Sequence, residues 1–238
     1  MAGGMPHPLL LVNEVAKNLG LYKLNDIYQL HLIDTNVVFA WFVMLLLIVL
    51  GMLATRKLEM IPSGLQNFFE AVIGGLESFV VTNIGEKGRK VFPLLCGLFL
   101  FIVTCNLIGL VPGFDSPTGN VNTNAAMAIT VFLYYNMWGL RMWGLGYIRH
   151  FTGPFLWLAP LMLPLEVISH LARPLSLTLR LFGNIRGEEI VLVLLFGLAP
   201  VVATFPLYFL FTLSDCIQAF VFFMLTMIYL KGSLEHAE

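Results

Sequence analysis

The feature that most constrains this chain is the length of its uncharged apolar segments. Residues 37–54 form a run of 18 residues without a charge, about the length that a helix needs to cross the ~30 Å hydrocarbon core of a bilayer. Residues 92–112 and 122–140 form two further uncharged blocks. Hydrophobic residues make up 58% of the chain and the mean hydropathy is +0.86, whereas soluble domains contain roughly 45–50% apolar residues. The chain is therefore predicted to be an integral membrane protein.

The C-terminal half contains two longer apolar segments. Residues 155–186 begin apolar and then acquire charges, and residues 190–230 run for 41 residues with Asp215 as the single charge. One straight helix of that length would extend about 60 Å, twice the thickness of the bilayer core. We therefore expect two long tilted helices, with Pro200 or Pro206 as a kink in the second.

The sequence thus predicts a single all-α membrane domain with five transmembrane helices, or six if the last segment is divided. Between the first two spans, apolar residues recur at helical spacing from Leu65 to Val80, with polar residues such as Glu70 and Glu77 mostly opposite, which indicates an interfacial amphipathic helix. The predicted segments are transmembrane helices at 37–55, 92–112 and 122–141, the amphipathic helix at 63–81, long tilted helices at 155–186 and 190–230, and terminal segments at 1–34 and 231–238.

Lysine and arginine residues orient the chain. Residues 56–90 contain five of them between the first two spans, whereas the loop at 113–120 contains none. The positive-inside rule therefore places that loop and the N-terminal segment outside the cell and the C-terminal tail in the cytoplasm. The N-terminus lacks a basic start followed by an apolar core, so we expect no cleaved signal or transit sequence and favour a bacterial plasma (inner) membrane.

Four ionisable side chains interrupt residues 155–185, namely Glu166, His170, Arg173 and Arg180. Their spacing places them on one face of a helix, and Asn184 continues the stripe. An ionised side chain at the centre of a membrane helix costs about 2.5–3.5 kcal/mol on insertion, so such residues normally face protein or water and mark an ion path. A structural network in which Glu166 pairs with His170 or Arg173 is an equally good interpretation.

Arg180 differs from the other three because its own helix supplies no counter-charge. No acidic residue lies three or four positions from it in either direction. Its partner must come from elsewhere in the chain or from another subunit. Asp215, with Gln218 one helical turn beyond it, is either a salt-bridge partner for Arg173 or Arg180 or a proton-carrying group.

The sequence also excludes several classes of function. It contains no phosphate-binding loop, nucleophile arrangement or metal-ligand cluster, and its net charge of −1 without a basic tract does not indicate binding to nucleic acid. We therefore expect no cofactor and no enzyme activity in this chain on its own. A self-contained ion channel or secondary transporter is the alternative function, but it predicts inverted repeats, and the two halves show no convincing repeat.

Five motifs, in their order along the chain, resemble one family. "NLIGLVPG" at 106–113, "SPTGNVNTNAAMA" at 116–128, "PLEVIS" at 164–169, "RPLSLTLRLFGN" at 173–184 and "IQAFVFFMLTMIYL" at 217–230 are similar to landmarks of subunit a of F-type ATP synthases, the stationary half of the proton channel. The resemblance covers most of the chain beyond the N-terminal segment.

The resemblance implies that the two long helices curve along a rotating ring of subunit c, each copy of which carries one membrane carboxylate. Arg180 matches the family's essential arginine, which attracts each carboxylate and blocks a direct proton leak between two aqueous half-channels. Gln218 matches the glutamine that faces this arginine. The acid that follows the "FGN" motif matches Glu189 by counting and Glu188 by the Gly-Glu pair, so both remain candidates.

Asp215 has no fixed counterpart in the family, and we expect it to serve the outer half-channel together with the two glutamates. Asn184 is expected in the proton pathway, and Glu166, His170 and Arg173 are suited to the cytoplasmic side. The resemblance also implies the partners. The expected partners are the subunit c ring, the peripheral-stalk subunit b, other ATP synthase subunits and the lipid bilayer. Proton flow would be coupled to ATP synthesis, whose chemistry resides on other subunits.

Overall fold

The structure, a computed structural model, describes residues 35–56, 64–111, 114–144, 159–198 and 204–234. These residues form helices and one 3₁₀ turn, without a strand. The helices are α1 (Thr35–Thr55), α2 (Leu65–Ile84), α3 (Gly88–Gly109), α4 (Val121–Trp143), α5 (Ala159–Leu198) and α6 (Thr204–Leu234), and the 3₁₀ turn is Pro117–Gly119. The predicted all-α fold class is confirmed. The predicted N-terminal segment at 1–34 lies outside the described residues.

Three of the described helices are long and apolar enough to cross a membrane. They are α1, α3 and α6, over Asn36–Thr55, Gly88–Gly109 and Thr204–Ser233. Most of α1 is exposed, and the exposed residues include Trp41, Leu45 and Met52. Because this apolar surface would be unfavourable in water, it is suited to contact with lipid hydrocarbon.

The two long C-terminal helices are divided at a different place from the one that the sequence predicted. The predicted boundary fell at residues 187–189, but α5 continues through this segment to Leu198 and α6 begins at Thr204. Gly187 lies inside α5, where a glycine costs only about 1 kcal/mol and the following glutamates are good helix formers. Pro206 lies in the first turn of α6, where its missing N–H breaks no helical hydrogen bond.

The protein core lies where α2, α3, α4, α5 and α6 meet. Helix α3 packs mainly against α6, and α4 packs mainly against α5. The largest fully buried apolar side chains in this core are Leu95, Ile102, Tyr135, Leu181, Phe222, Phe223 and Leu230. Because lipid tails are as apolar as these side chains, close van der Waals packing stabilises such a contact more than burial does.

A helix is present at the predicted amphipathic segment, and its apolar face packs partly against protein. Leu76 and Val80 of α2 are buried in the core, whereas Leu65 and Phe68 are exposed, although the pattern placed all four on one face. The chain then reverses at Gly85, whose φ of +84° favours glycine, and α3 begins at Gly88. The C-terminal half of α2 is thus half of a helical hairpin with α3.

The bundle has two chemically different ends. Phe39, near the start of α1, contacts Phe114 beyond the end of α3, with ring centroids 5.6 Å apart, so α1 and α3 run in opposite directions. We call the end with Phe114 and the 3₁₀ turn the turn end. The opposite end, which we call the basic end, carries the described cations Arg56, Lys87, Arg89, Lys90, Arg141 and Lys231.

Candidate functional site

Helices α5 and α6 contact each other through their polar residues. The side-chain nitrogen Nδ2 of Asn184 lies 3.4 Å from Oγ of Ser214. Helix α5 runs toward the turn end and α6 runs back toward the basic end. One helical turn from Asn184 toward the basic end is Arg180, and one turn from Ser214 in the same direction is Gln218. The antiparallel register therefore brings Arg180 and Gln218 to the same level of the bundle.

Arg180 lies on an exposed face of α5. The exposed residues of α5 around it are apolar or small, and they include Ser176, Leu179 and Gly183. In the part of the chain that the structure describes, Arg180 takes part in no ion pair. Its guanidinium carries five N–H donors, and these are open to a group outside the chain.

Asp215 is buried in α6 with only 1% of its surface exposed. Both carboxylate oxygens lack a hydrogen-bond partner among the described residues, and so does Nε2 of the nearby buried Gln218. In the described residues, the contact of the Asn106 side chain with Asp215 is to the backbone only: Nδ2 of Asn106 donates a hydrogen bond to the Asp215 backbone oxygen over 3.5 Å. The alternative in which Asp215 forms a salt bridge to Arg173 or Arg180 is therefore wrong for the described structure.

Glu188 and Asn184 form a polar pair one helical turn apart on α5. The amide nitrogen Nδ2 of Asn184 donates to Oε1 of Glu188 over 2.9 Å, and the Ser214 hydroxyl lies 3.5 Å from Oδ1 of Asn184. A continuous series of polar groups thus runs from Glu188 through Asn184 to Ser214, the residue before Asp215. Ser214 was not predicted as a site residue, although a hydroxyl beside an aspartate in an apolar run was a usable signal.

Glu189 has a different environment from Glu188. Its Oε2 lies 2.6 Å from Nη1 of Arg186, and Nε of Arg186 donates to the backbone oxygen of Gly119 over 2.8 Å. Arg186 therefore joins α5 to the 3₁₀ turn and pairs with Glu189 at the same time. Charge-assisted hydrogen bonds of this kind are about twice as strong as neutral ones.

The 3₁₀ turn that accepts this hydrogen bond is itself fixed by buried polar groups. The Thr118 hydroxyl donates to Oδ1 of Asn106 over 2.7 Å, and Nδ2 of Asn124 donates to the Thr118 carbonyl over 2.7 Å. A Cβ atom on Gly109 would lie only 2.5 Å from Cβ of Ser116, so only glycine allows the turn to lie this close to α3. The contacts with Asn106, Asn124 and Gly109 therefore fix the turn whose Gly119 carbonyl accepts the hydrogen bond from Arg186.

A second polar cluster lies toward the basic end of α5. Nε2 of His170 is 3.4 Å from Oε1 of Glu166, so of the two pairings considered for Glu166 the structure has the one with histidine. Nδ1 of His170 is 3.0 Å from the hydroxyl oxygen of Tyr135 on α4. The guanidinium of Arg173 lies over the rings of Tyr135 and Tyr229. The contact with Tyr135 could not be predicted from sequence spacing because it joins residues 35 positions apart.

Arg180 lies between these two polar regions along α5. His170 precedes it by 10 residues and Glu188 follows it by 8, which correspond to about 15 Å and 12 Å along a helix axis. No group of three His, Cys, Asp or Glu side chains suited to a metal ion occurs in the described segments. These features define an α-helical membrane protein with ionisable groups along two long contacting helices. Arg180 separates two clusters of these groups, and it has no ion-pair partner within the described chain.

Comparison with known proteins gives the family. Residues 37–231 match the family model described as ATP synthase A chain. The chain is 79% identical over 237 residues to "ATP synthase subunit a" of Solidesulfovibrio magneticus and 61% identical over 240 residues to that of Nitratidesulfovibrio vulgaris, with 100% of each chain covered. The chain belongs to the ATP synthase subunit a family, the non-catalytic proton-channel subunit of the stator in F-type ATP synthases. The resemblance found in the sequence is confirmed.

Proposed function

We propose that Arg180 meets each carboxylate of a rotating subunit c ring, and that protons reach and leave the ring through one half-channel on either side of it. The observation that carries this proposal is the exposure of Arg180 on an apolar face of α5 without an ion-pair partner in the described chain. Because an arginine in hydrocarbon costs about 2.5–3.5 kcal/mol, such a residue requires a counter-charge. A carboxylate carried past by another subunit supplies it.

The surface around Arg180 is suited to a moving partner. Ser176, Gly183 and Gly187 are exposed on α5, and an added Cβ atom on either glycine would meet no other group within 4 Å. No bulky side chain at these positions shields the guanidinium. Gln218, at the same level on α6, is buried, and its Nε2 lacks a hydrogen-bond partner among the described residues, which supports a place for it in the proton pathway inside the bundle.

The fixed charge of Arg180 also separates the two half-channels. A guanidinium cannot be deprotonated in a protein, so it neither takes up nor passes on a proton. A proton therefore has to leave one half-channel on a ring carboxylate and enter the other after rotation. Each charge moved across the membrane gains about 2.3 kcal/mol per 100 mV, which is the energy that the complex couples to ATP synthesis.

The outer half-channel, in this proposal, lies at the turn end and uses Glu188 as its acid. Glu188 contacts Asn184, whose amide contacts Ser214, and Asp215 continues the polar series into the bundle. Glu189 is instead paired with Arg186, which favours a structural role. The structure therefore supports the choice of Glu188 over Glu189, although counting from the "FGN" motif selects Glu189.

The second half-channel lies toward the basic end and uses Glu166 and His170, with Arg173 beside them. A carboxylate and an imidazole 3.4 Å apart can share and exchange a proton. The cations at this end support its placement in the cytoplasm under the positive-inside rule. In this orientation the N-terminus is outside and the C-terminus is cytoplasmic, in a bacterial inner membrane, with the c ring and subunit b as direct partners.

The experiment that tests this function is ATP-driven proton pumping by whole ATP synthase complexes in vesicles. We expect Arg180→Ala to lower pumping by about a hundredfold or more, as loss of a preorganised charge does in an apolar site. Arg180→Lys retains a charge but loses the planar fork of donors, so its pumping should fall between Arg180→Ala and the unaltered chain. Normal pumping by an assembled Arg180→Ala complex would exclude this role.

A further inference from the structure

Arg173 is enclosed by aromatic rings from two neighbouring helices. Its guanidinium carbon lies 5.2 Å from the ring centroid of Tyr229 on α6 and 6.0 Å from that of Tyr135 on α4. The two ring centroids are 6.3 Å apart. These distances are within the range of cation–π attraction, about 6 Å. Arg173 forms no ion pair with a carboxylate in the described segments.

Tyr135 also contacts His170 through its hydroxyl group. It is 1% exposed and His170 is 7% exposed, and the distance from the hydroxyl oxygen to Nδ1 is 3.0 Å. A neutral histidine that accepts the tyrosine O–H at Nδ1 carries its own proton on Nε2. That nitrogen is the one that lies 3.4 Å from Oε1 of Glu166. Tyr135 therefore favours the tautomer in which His170 donates to Glu166.

The two contacts of Tyr135 have a common consequence for Glu166. Glu166 and Arg173 are seven residues apart on one face of α5, about 10 Å along the helix axis, so an arginine that extends toward Glu166 would be needed to pair with it. An arginine partner would favour the ionised carboxylate and hold it in that form. A histidine partner can instead exchange a proton with it. Because the rings of Tyr135 and Tyr229 bind the guanidinium of Arg173, His170 remains the partner of Glu166.

We propose that Tyr135 is a positioning residue of the half-channel at the basic end, which fixes the imidazole of His170 toward Glu166 and, together with Tyr229, holds Arg173 away from that carboxylate. The inference rests on the proposed function of this half-channel. The titratable and charged groups described around His170 are Glu166 and Arg173 on its own helix, Tyr135 on α4 and Tyr229 on α6.

The first test compares two matched variants in the whole complex, by ATP-driven proton pumping as a function of the pH at the basic end. Tyr135→Phe keeps the ring over Arg173 and removes only the hydroxyl bound to His170. Tyr229→Phe makes the same chemical change on the other ring. We expect Tyr135→Phe to move the pH of half-maximal pumping by about half a unit or more, and Tyr229→Phe to leave it unmoved.

The second test uses rescue. Tyr135→Leu removes both the hydroxyl and the ring, so Arg173 is free to pair with Glu166 and pumping should fall several-fold. Adding Arg173→Gln removes the competing cation and should restore part of the pumping, which it would not do for a tyrosine that only filled space. This test also applies if Tyr135→Phe fails to assemble.

Two results would overturn the inference. They are equal pH profiles for Tyr135→Phe, Tyr229→Phe and the unaltered chain, and a Tyr135→Leu defect that Arg173→Gln does not relieve. Arg180→Ala in the same vesicles separates this inference from the proposed function. If Arg180→Ala abolishes pumping while the tyrosine variants behave as the unaltered chain does, only the positioning role fails. If Arg180→Ala pumps normally, the proposed function itself fails.

Discussion

Arg180 and Arg186 lie on the same helix, six residues apart, and have opposite surroundings. Arg186 donates to the Gly119 carbonyl over 2.8 Å and contacts Glu189 over 2.6 Å. Arg180 is exposed among apolar and small residues and forms no ion pair in the described chain. An arginine whose donors are used inside the chain stabilises the fold, whereas the unused donors of Arg180 are what the proposed function assigns to a carboxylate of another subunit.

The two adjacent glutamates repeat this contrast. Glu189 is neutralised by Arg186 beside the 3₁₀ turn, and Glu188 accepts from the neutral amide of Asn184 within a series of polar groups that leads to Asp215. An arginine adds a positive charge that favours the ionised form of its partner carboxylate, whereas a neutral amide adds no charge. Environment therefore separates two residues that the sequence left equivalent.

Among the carboxylates, the largest effect is expected from comparing Glu188→Gln with Glu189→Gln. Each change removes one acid and keeps nearly the same volume. We expect Glu188→Gln to lower ATP-driven pumping by about tenfold or more, as loss of a proton-transfer group does. Glu189→Gln should lower it by less than about threefold, because an ion pair near the surface contributes only ~0–1 kcal/mol to stability. A larger loss of pumping in Glu189→Gln than in Glu188→Gln would identify Glu189 as the channel acid.

A several-fold effect is expected from Asp215→Asn. The amide keeps the shape of the side chain but cannot carry the proton, so pumping should fall by about three- to tenfold. The thermal stability of the complex should not fall, because both carboxylate oxygens lack a described partner that the substitution could remove. Unchanged pumping would show that Asp215 is outside the path, and a large loss of stability would show that it has a structural partner.

The smallest effect on pumping is expected from Arg186→Gln, the structural counterpart of the Arg180 variants. It removes the hydrogen bond to Gly119 and leaves Glu189 without its cation, so the free energy of unfolding should fall by about 1–3 kcal/mol. Pumping per assembled complex should stay within about threefold of the unaltered level. Thermal unfolding and pumping are measured on the same preparations. If Arg186→Gln assembled normally and lost pumping as completely as Arg180→Ala, the assignment of a structural role to Arg186 would be wrong.

Local patterns in the sequence predicted most of the helices and the isolation of Arg180. Apolar run length located α1, α3 and α4, and the absence of an acid near Arg180 is a property of its own helix. The end of α5 was placed wrongly, because the "RGEE" segment has the composition of a turn and yet forms a regular helix. The roles of the two glutamates were not resolved either, although the i,i+3 spacing of Arg186 and Glu189 was a usable local signal.

Contacts between distant parts of the chain were beyond sequence reasoning. Arg186 binds a carbonyl 67 residues away, and Tyr135 binds His170 35 residues away. Periodicity reports which face of a helix is apolar, but it does not report which neighbouring helix the face meets or at what level. Asp215 illustrates the same limit, because its burial was predictable and the absence of a salt bridge to either arginine was not.

In the proposed mechanism, a proton cannot cross through this chain alone and must be carried on a ring carboxylate that meets Arg180. This can be measured as passive proton conduction through membrane sectors freed of their catalytic head, with the ring carboxylates either intact or replaced by amides. We expect conduction with intact carboxylates and only the background leak of the lipid with amides, although Arg180, Glu188 and Asp215 are unchanged. Equal conduction in the two preparations would contradict the mechanism.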